Sequence, residues 1–475
     1  MGGSRSERDI STKGMAPIIA TLLLIVISVV GSGITYEFVT NYVAEGTATQ
    51  PLQSVLLLES VETTQVDVRK VFVRNIGLAS LTIDRLYLSY SQGPTAGTYP
   101  LESPREVAPG HVVELALPPL QLLAPKTGYY YIQVNTKEGI MTVSQSFMLK
   151  LLYLGKGSWR EYAGNPVFDP ASKAYYPYVI YDAGQFGGHG GSAYYKMWFG
   201  SDTGVGYAYS ADGMSWTEGA NPVSNLTNAN HPVVRYFPDG FHGRNSGNNP
   251  SGSTMYYRIW YWDTSKIYTV EAIRYAESPD GVNWYNDQPL QNGIVPIVTG
   301  TWPDWNYGSY GPCDVLYNPG ASNTGTDWKF TMYYDGTTGG NESIGVAFSS
   351  DGVTWTGYDH DGDGKADPVL TGSGSGWDYD YVSRCTILKV GSRYHMWFSG
   401  GVGRINEGIG YATSSDGLIW TKDANNPVFH KTDGLAWRSD RTYCPMVIEV
   451  NGTFKMFYAG KDSSGNYAVG YAVAP

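Results

Sequence analysis

Apolar and polar positions divide the chain into three unlike stretches. From Met15 through Tyr36 no charged residue interrupts MAPIIATLLLIVISVVGSGITY, a run long enough for a helix to cross a bilayer core. From about Gln50 to Leu154 apolar and polar residues alternate, as in Val66-Asp-Val-Arg-Lys-Val-Phe-Val-Arg-Asn and Leu81-Thr-Ile-Asp-Arg-Leu-Tyr-Leu. Period two, punctuated by Asn75-Ile76-Gly77, Pro109-Gly110 and Glu138-Gly139, predicts antiparallel strands with one covered face, a small β-sandwich.

From Gly155 onward the chain repeats itself. Tyr195-Lys-Met-Trp-Phe-Gly returns as Tyr257-Arg-Ile-Trp-Tyr, Phe330-Thr-Met-Tyr-Tyr, Tyr394-His-Met-Trp-Phe-Ser and Phe454-Lys-Met-Phe-Tyr-Ala. Each copy is followed by a second strand of the type Gly206-Tyr-Ala-Tyr-Ser. In the first four an Asp-Gly pair and then Trp216, Trp284, Trp355 or Trp420 come next. Asp-Gly supplies the positive φ of a hairpin turn, and a tryptophan is large enough to fill the space between packed sheets. Five such units predict a five-bladed β-propeller. The fifth unit ends without its own Asp-Gly-Trp strand. Trp159-Arg-Glu-Tyr-Ala-Gly-Asn-Pro-Val, which matches Trp216-Thr-Glu-Gly-Ala-Asn-Pro-Val, supplies the missing strand from the other end and closes the ring. The predicted fold class is therefore mainly β: a leader over 1–14, an apolar helix over 15–49, a β-sandwich over 50–154 and a propeller over 155–475.

Composition narrows the function. Gly 59, Tyr 39 and Trp 14 beside only 16% charged residues suit glycine-turned aromatic strands. A net charge of -11 leaves no basic stripe for displacing counterions from phosphate, which excludes nucleic acid as a partner. Three cysteines, Cys313, Cys385 and Cys444, are too few for a disulfide scaffold and are expected as buried thiols. Asn225-Leu-Thr227, Asn341-Glu-Ser343 and Asn451-Gly-Thr453 fit the glycosylation sequon of an exported chain.

Two resemblances carry the reading further. KGMAPIIATLLLIVISVV resembles the N-terminus of archaeal type IV pilins, which implies cleavage between Gly14 and Met15 and a helix that stays in a membrane or a filament core. The order Val-Arg-Asn-Ile-Gly, then Leu-Thr-Ile-Asp, also resembles the globular part of archaeal pilins and archaellins. Ile19 stands where pilins carry a glutamate, so anchoring is the firmer implication. The repeat grammar "N-P-V … K-M-W-F … G-Y-A-x-S-x-D-G-x-x-W" resembles the five-bladed superfamily of arabinanases, invertase-type fructosidases and mannoside phosphorylases. That resemblance implies three carboxylates where the innermost strands begin, because glycoside cleavage needs one protonated and one ionised carboxyl at a fixed gap. Here Tyr176, His231 and Tyr310 occupy those places.

The remaining candidates for chemistry are Asp314, two residues beyond Pro312, with Asp304, Asp378 or Asp380 as a relocated acid pair and His231 as a proton carrier. The alternative for these acids, and for Asp440, is pairing with Arg384, Arg438 and Arg441. Trp302, Trp305, Trp377 and Trp437 stand beside Asp and Arg384 or Arg441, as a sugar platform would, or else they fill the blades. Asp359-His-Asp-Gly-Asp-Gly-Lys-Ala-Asp367 lies in an outer hairpin of the third blade and has the spacing for Ca²⁺. Asp359, Asp361, Asp363 and Asp367 offer carboxylates and Lys365 its carbonyl. It resembles the calcium hairpins of integrin α-chain propellers. The expected function is a cell-surface protein, membrane-tethered or pilus-associated beside other pilin subunits, displaying a glycan-binding, catalytically degenerate glycosidase-like propeller. A surface glycoside hydrolase and a structural filament subunit are the alternatives.

Overall fold

The computed structural model describes residues 56–474, apart from 64–67, 91–94, 117–127, 138–144, 150–151, 190, 241–252, 267–268, 270, 392 and 404. The leader, Gly14, Met15 and the pilin-like segment 15–49 lie outside the described residues. Among the described residues no helix is long and apolar enough to cross a membrane. The chain divides into two compact units, Met1–Leu152 and Tyr153–Pro475.

The first unit holds two antiparallel sheets. Leu56–Thr63, Val68–Asn75 and Val112–Ala116 form one, and Thr95–Val107, Leu81–Tyr90, Gly128–Thr136 and Gln145–Leu149 the other. Alternate residues are buried, Val71 and Val73 on one sheet and Leu81 and Ile83 on the other, as the period of two requires. Asn75, fully buried, is held by its own turn: its side-chain amide donates to the carbonyls of Ala79 and Val107 and its oxygen accepts the Gly77 N–H.

The second unit is a ring of five blades; the first, second and fifth are four-stranded antiparallel sheets, and the third and fourth are joined into one sheet of eleven strands through the pairing of Glu342 with Tyr381. Their innermost strands are Tyr175–Tyr181, Ala229–Tyr236, Gly308–Tyr317, Tyr381–Val390 and Arg441–Val450, and each packs beside the next, the fifth beside the first. The outermost strand of the fifth blade is Arg160–Glu161, which pairs with Tyr467–Ala474 from the far end of the chain. Arg438, fully buried, bonds Glu161 on that strand at 3.1 Å, and Tyr458 donates its hydroxyl to the same carboxylate.

Blade joins blade through a repeated bond. Trp198 of the first blade donates its indole N–H to Gly281 O at 2.7 Å, Trp260 of the second to Gly352 O at 2.8 Å, and the Tyr333 hydroxyl of the third to Gly417 O at 2.8 Å. Each acceptor is the glycine of a Ser-x-Asp-Gly turn. There the serine oxygen accepts the Asp and Gly N–H groups and the aspartate accepts the next two, as Ser278 and Asp280 do. Gly213, Gly281, Gly352 and Gly417 all have φ of 80–83°, which a side chain resists. The fifth blade has no such turn, and Leu154 O, at the start of the closing segment, accepts from Trp397 instead, at 3.1 Å. At the last seam Phe457 meets Trp216 edge-on at 5.8 Å and Lys455 donates to the Tyr195 hydroxyl at 2.7 Å.

Candidate functional site

One residue in the upper half of each innermost strand takes a left-handed backbone: Tyr176 (φ 52°), His231 (49°), Gly311 (119°), Arg384 (45°) and Cys444 (51°). The ladder shifts register at each of these places. Proline follows in four of the five, and its missing N–H suits a bulge. Four non-glycine residues in this region each cost roughly 1–3 kcal/mol, so the packing around them must hold them there. It does so by turning them onto the axis. The rings of Tyr176 and His231 meet edge-on at 3.6 Å, Tyr443 lies 5.8 Å from Tyr176, and the Arg384 guanidinium stands 5.1 Å over Tyr176 and 5.9 Å over Tyr310. Of these, Tyr176, His231 and Arg384 line, with Cys313, Cys385 and Cys444, a cavity of about 30 Å³, room for one or two waters.

His231 is uncharged in this setting. Its Nδ1 bonds the Tyr310 carbonyl, its Nε2 lies 3.5 Å from an Nη of Arg384, and its ring stacks on Trp262 at 4.9 Å. Burial, and then the Arg384 charge, hold its pKa well below the ordinary 6.5. Arg384 pairs with Asp335, whose other oxygen accepts the Tyr310 N–H at 3.1 Å. All three cysteines are free and buried. Burial pushes the Cys385 and Cys444 thiols up, whereas for Cys313 burial is outweighed by the neighbouring Cys385 and by Arg384, which draw it down.

The candidate acids are elsewhere. Asp314 points toward the lower half of the ring, 1% exposed, and both its oxygens are occupied. Oδ1 accepts from Tyr178 at 2.8 Å, Arg235 at 2.9 Å and Val315 N at 2.8 Å, and Oδ2 from Ile387 N at 2.8 Å and the Thr386 hydroxyl at 3.3 Å. Such a carboxylate ties four blades together. Asp304 pairs with Lys365 at 2.8 Å, Asp378 with Lys422 at 2.6 Å and Asp440 with Lys461 at 2.6 Å, and Asp380 accepts the Gly403 N–H at 2.9 Å. The structure joins none of Asp304, Asp378 and Asp380 to Asp314 or to His231. The partners of Asp304, Asp378 and Asp440 are lysines, where the sequence suggested Arg384, Arg438 and Arg441. Arg438 turns instead to Glu161 and Asp433, and Arg441 begins the fifth innermost strand with its buried Nε unmatched.

Trp305, Trp377 and Trp437 fill their own blades. Trp305 lies over Gly336 and Gly345, Trp377 over Gly400 and Trp437 over Gly460 and Gly470, positions where a β-carbon would collide with the indole. Only Trp302 of the four is open, 60% exposed and edge-on to Tyr307 at 5.9 Å. The sequence singled out Tyr176, His231, Tyr310 and Arg384, read Cys444 only as a buried thiol, and passed over Gly311 and Asp335. The residue-before-proline rule finds Cys444 and Gly311, and nothing local marks Asp335.

The aspartate-rich segment lies between the strands Thr354–Gly357 and Pro368–Leu370, away from the axis. Oxygens of Asp359, Asp361 and Asp363 come within 4.8 Å of one another. Asp359 accepts the N–H groups of Gly362 at 2.7 Å and Gly364 at 2.9 Å, and Asp367 that of His360 at 2.7 Å. The Lys365 side chain leaves the loop for Asp304. The sequon residues Asn225, Asn341 and Asn451 are all exposed.

No protein-family model and no curated protein matches the chain. Solved structures resemble it in shape. One is described under the mannoside phosphorylase family GH130, containing glycoside hydrolases that target β-1,2 mannosidic linkages in Candida mannan. It is 16% identical with a TM-score of 0.47, covering 68% of this chain and 95% of its own. A glycosyl hydrolase from Bacteroides ovatus is 16% identical with a TM-score of 0.47, covering 67% and 94%. An N-acetylgalactosamine deacetylase from F. plautii, in complex with blood group B trisaccharide, is 15% identical with a TM-score of 0.42, covering 68% and 94%. These are likenesses of shape alone.

Proposed function

We propose that this is an exported cell-surface protein, tethered by its N-terminal apolar helix or built into a pilus-like filament with other subunits, whose propeller binds glycan without cleaving it. The observation that carries the reading is the composition of the axial site. Tyrosine, histidine, arginine and cysteine stand on the axis, the buried carboxylate Asp335 is neutralised by Arg384, a second buried carboxylate, Glu342, acts on Tyr176 and Cys444 from beside them, and about 30 Å³ of space remains. Glycoside cleavage requires two carboxyl groups of opposed protonation flanking the bond, with space for the sugar between them. The space for a sugar is not there, Asp335 is held by Arg384, and Asp314, the strongest candidate for a relocated acid, spends its oxygens on five hydrogen bonds.

The uncharged run Met15 to Tyr36 supports the tether. In the same reading Ca²⁺ sits among Asp359, Asp361, Asp363 and Asp367, where the oxygens of the half-buried Asp359 and the exposed Asp361 and Asp363 crowd within 4.8 Å. The test of function is to expose the full chain to a panel of polysaccharides and aryl glycosides and measure retention and released sugar together. Retention without release is expected. Release that Asp314→Asn abolishes would make the protein a hydrolase.

A further inference from the structure

The two ends of the ring axis leave very different amounts of space. The bulges that turn large side chains inward all lie in the upper halves of the innermost strands, and there the axis is filled. The lower halves pair without a register shift. At that end a cavity of about 440 Å³ opens, lined by Tyr181, Asp182, Arg235 and Glu449 among others. Tyr181 is shared with a second cavity of about 530 Å³ in the seam between the fifth and first blades, where Tyr194 and Lys455 also line the wall. Both volumes fall in the ordinary range for ligand sites.

The lining has the chemistry of a polyol site. The rings of Tyr181 and Tyr194 stack at 6.4 Å with 21° between planes, and both are half-buried, offering flat apolar surface to the C–H side of a sugar. Charges of both signs surround them. Lys455 is spent on the Tyr195 hydroxyl at 2.7 Å and Arg235 on Asp314, while Glu449 stands exposed. Acids and cations in balance favour a neutral ligand with many hydroxyls over an ion.

We propose that the glycan site of this protein is at the lower end of the ring, where a neutral oligosaccharide runs from the axial depression across Tyr181 into the seam beneath Tyr194. This rests on the glycan-binding reading and moves the site to the face opposite the one that the family resemblance marks. The experiment is calorimetric titration of the full chain with the best ligand from an array of neutral gluco-, manno- and galacto-oligosaccharides, repeated on Tyr181→Ala and on Glu449→Gln. The second variant alters an exposed side chain and leaves the packing intact. Weakening of tenfold or more in Tyr181→Ala and of several-fold in Glu449→Gln is expected. Native affinity in both variants, with loss in Trp302→Ala, puts the sugar at the upper end and overturns the proposal while glycan binding stands. An array on which the native chain binds nothing overturns both.

Discussion

The Nε2 of His231 lies 3.5 Å from an Nη of Arg384, while Nδ1 is committed to the carbonyl of Tyr310. Burial first, and then the Arg384 charge, lower the pKa of this imidazole well below 6.5 and favour its neutral form. In ¹⁵N spectra His231 should show no titration between pH 6 and 8. Arg384→Met removes the charge that opposes protonation and leaves Asp335 without its partner, so the pKa of His231 should rise. A native His231 that titrates near 6.5 would contradict the geometry.

His395 gives the fold a dependence on acid. Burial, and secondarily the Arg393 charge, lower its pKa from 6.5 to about 4. Below pH 6.5 the unfolded chain binds a proton that the folded chain refuses, so stability present above 6.5 is lost as pH falls toward 4. The loss amounts to about 3 kcal/mol. Denaturant midpoints taken from pH 7 to 4 should fall, and less steeply in His395→Gln. Identical slopes would rule out this source.

The closing strand contributes more than its two residues suggest. Glu161 is an anion for the fully buried Arg438 and the acceptor for Tyr458, so Glu161→Ala leaves buried donors short of a partner and should cost about 1–3 kcal/mol. Deletion of Gly155 to Val167 also removes Trp159, which meets Trp397 edge-on at 5.8 Å, and should unfold the ring. A truncated chain melting at the native temperature would show that the ring holds without this strand.

These elements were legible to different degrees. The blades show in the sequence because each repeats a strand core, Lys-Met-Trp-Phe, and a turn, Ser-x-Asp-Gly, whose bonds are local. The closing strand shows because Trp159-Arg-Glu copies Trp216-Thr-Glu. The role of Trp305, Trp377 and Trp437 does not show, since what receives each indole is a glycine on a neighbouring strand, such as Gly400 or Gly460, and a missing side chain leaves little signal. Asp314 looked free because its five donors come from four different blades. Asp335 was invisible because its meaning depends on Arg384, which reaches it from the next blade.

Calcium should stabilise the third blade. Saturating Ca²⁺ should raise Tm by roughly 5 °C over the chelated protein, the effect of ligand at about a hundred times Kd on a fold of this size. Asp361→Asn should remove most of that rise, as followed by calorimetry. Equal melting with Ca²⁺ and with chelator would reduce the segment to a hydrated acidic turn.

In the proposed function the propeller holds sugar and does not cut it. The most direct measurement incubates the full chain with neutral polysaccharides and follows both retention and reducing ends released over time. Saturable retention with no release above the buffer rate is the predicted result. Steady release that depends on the chain and disappears in Asp314→Asn would contradict it.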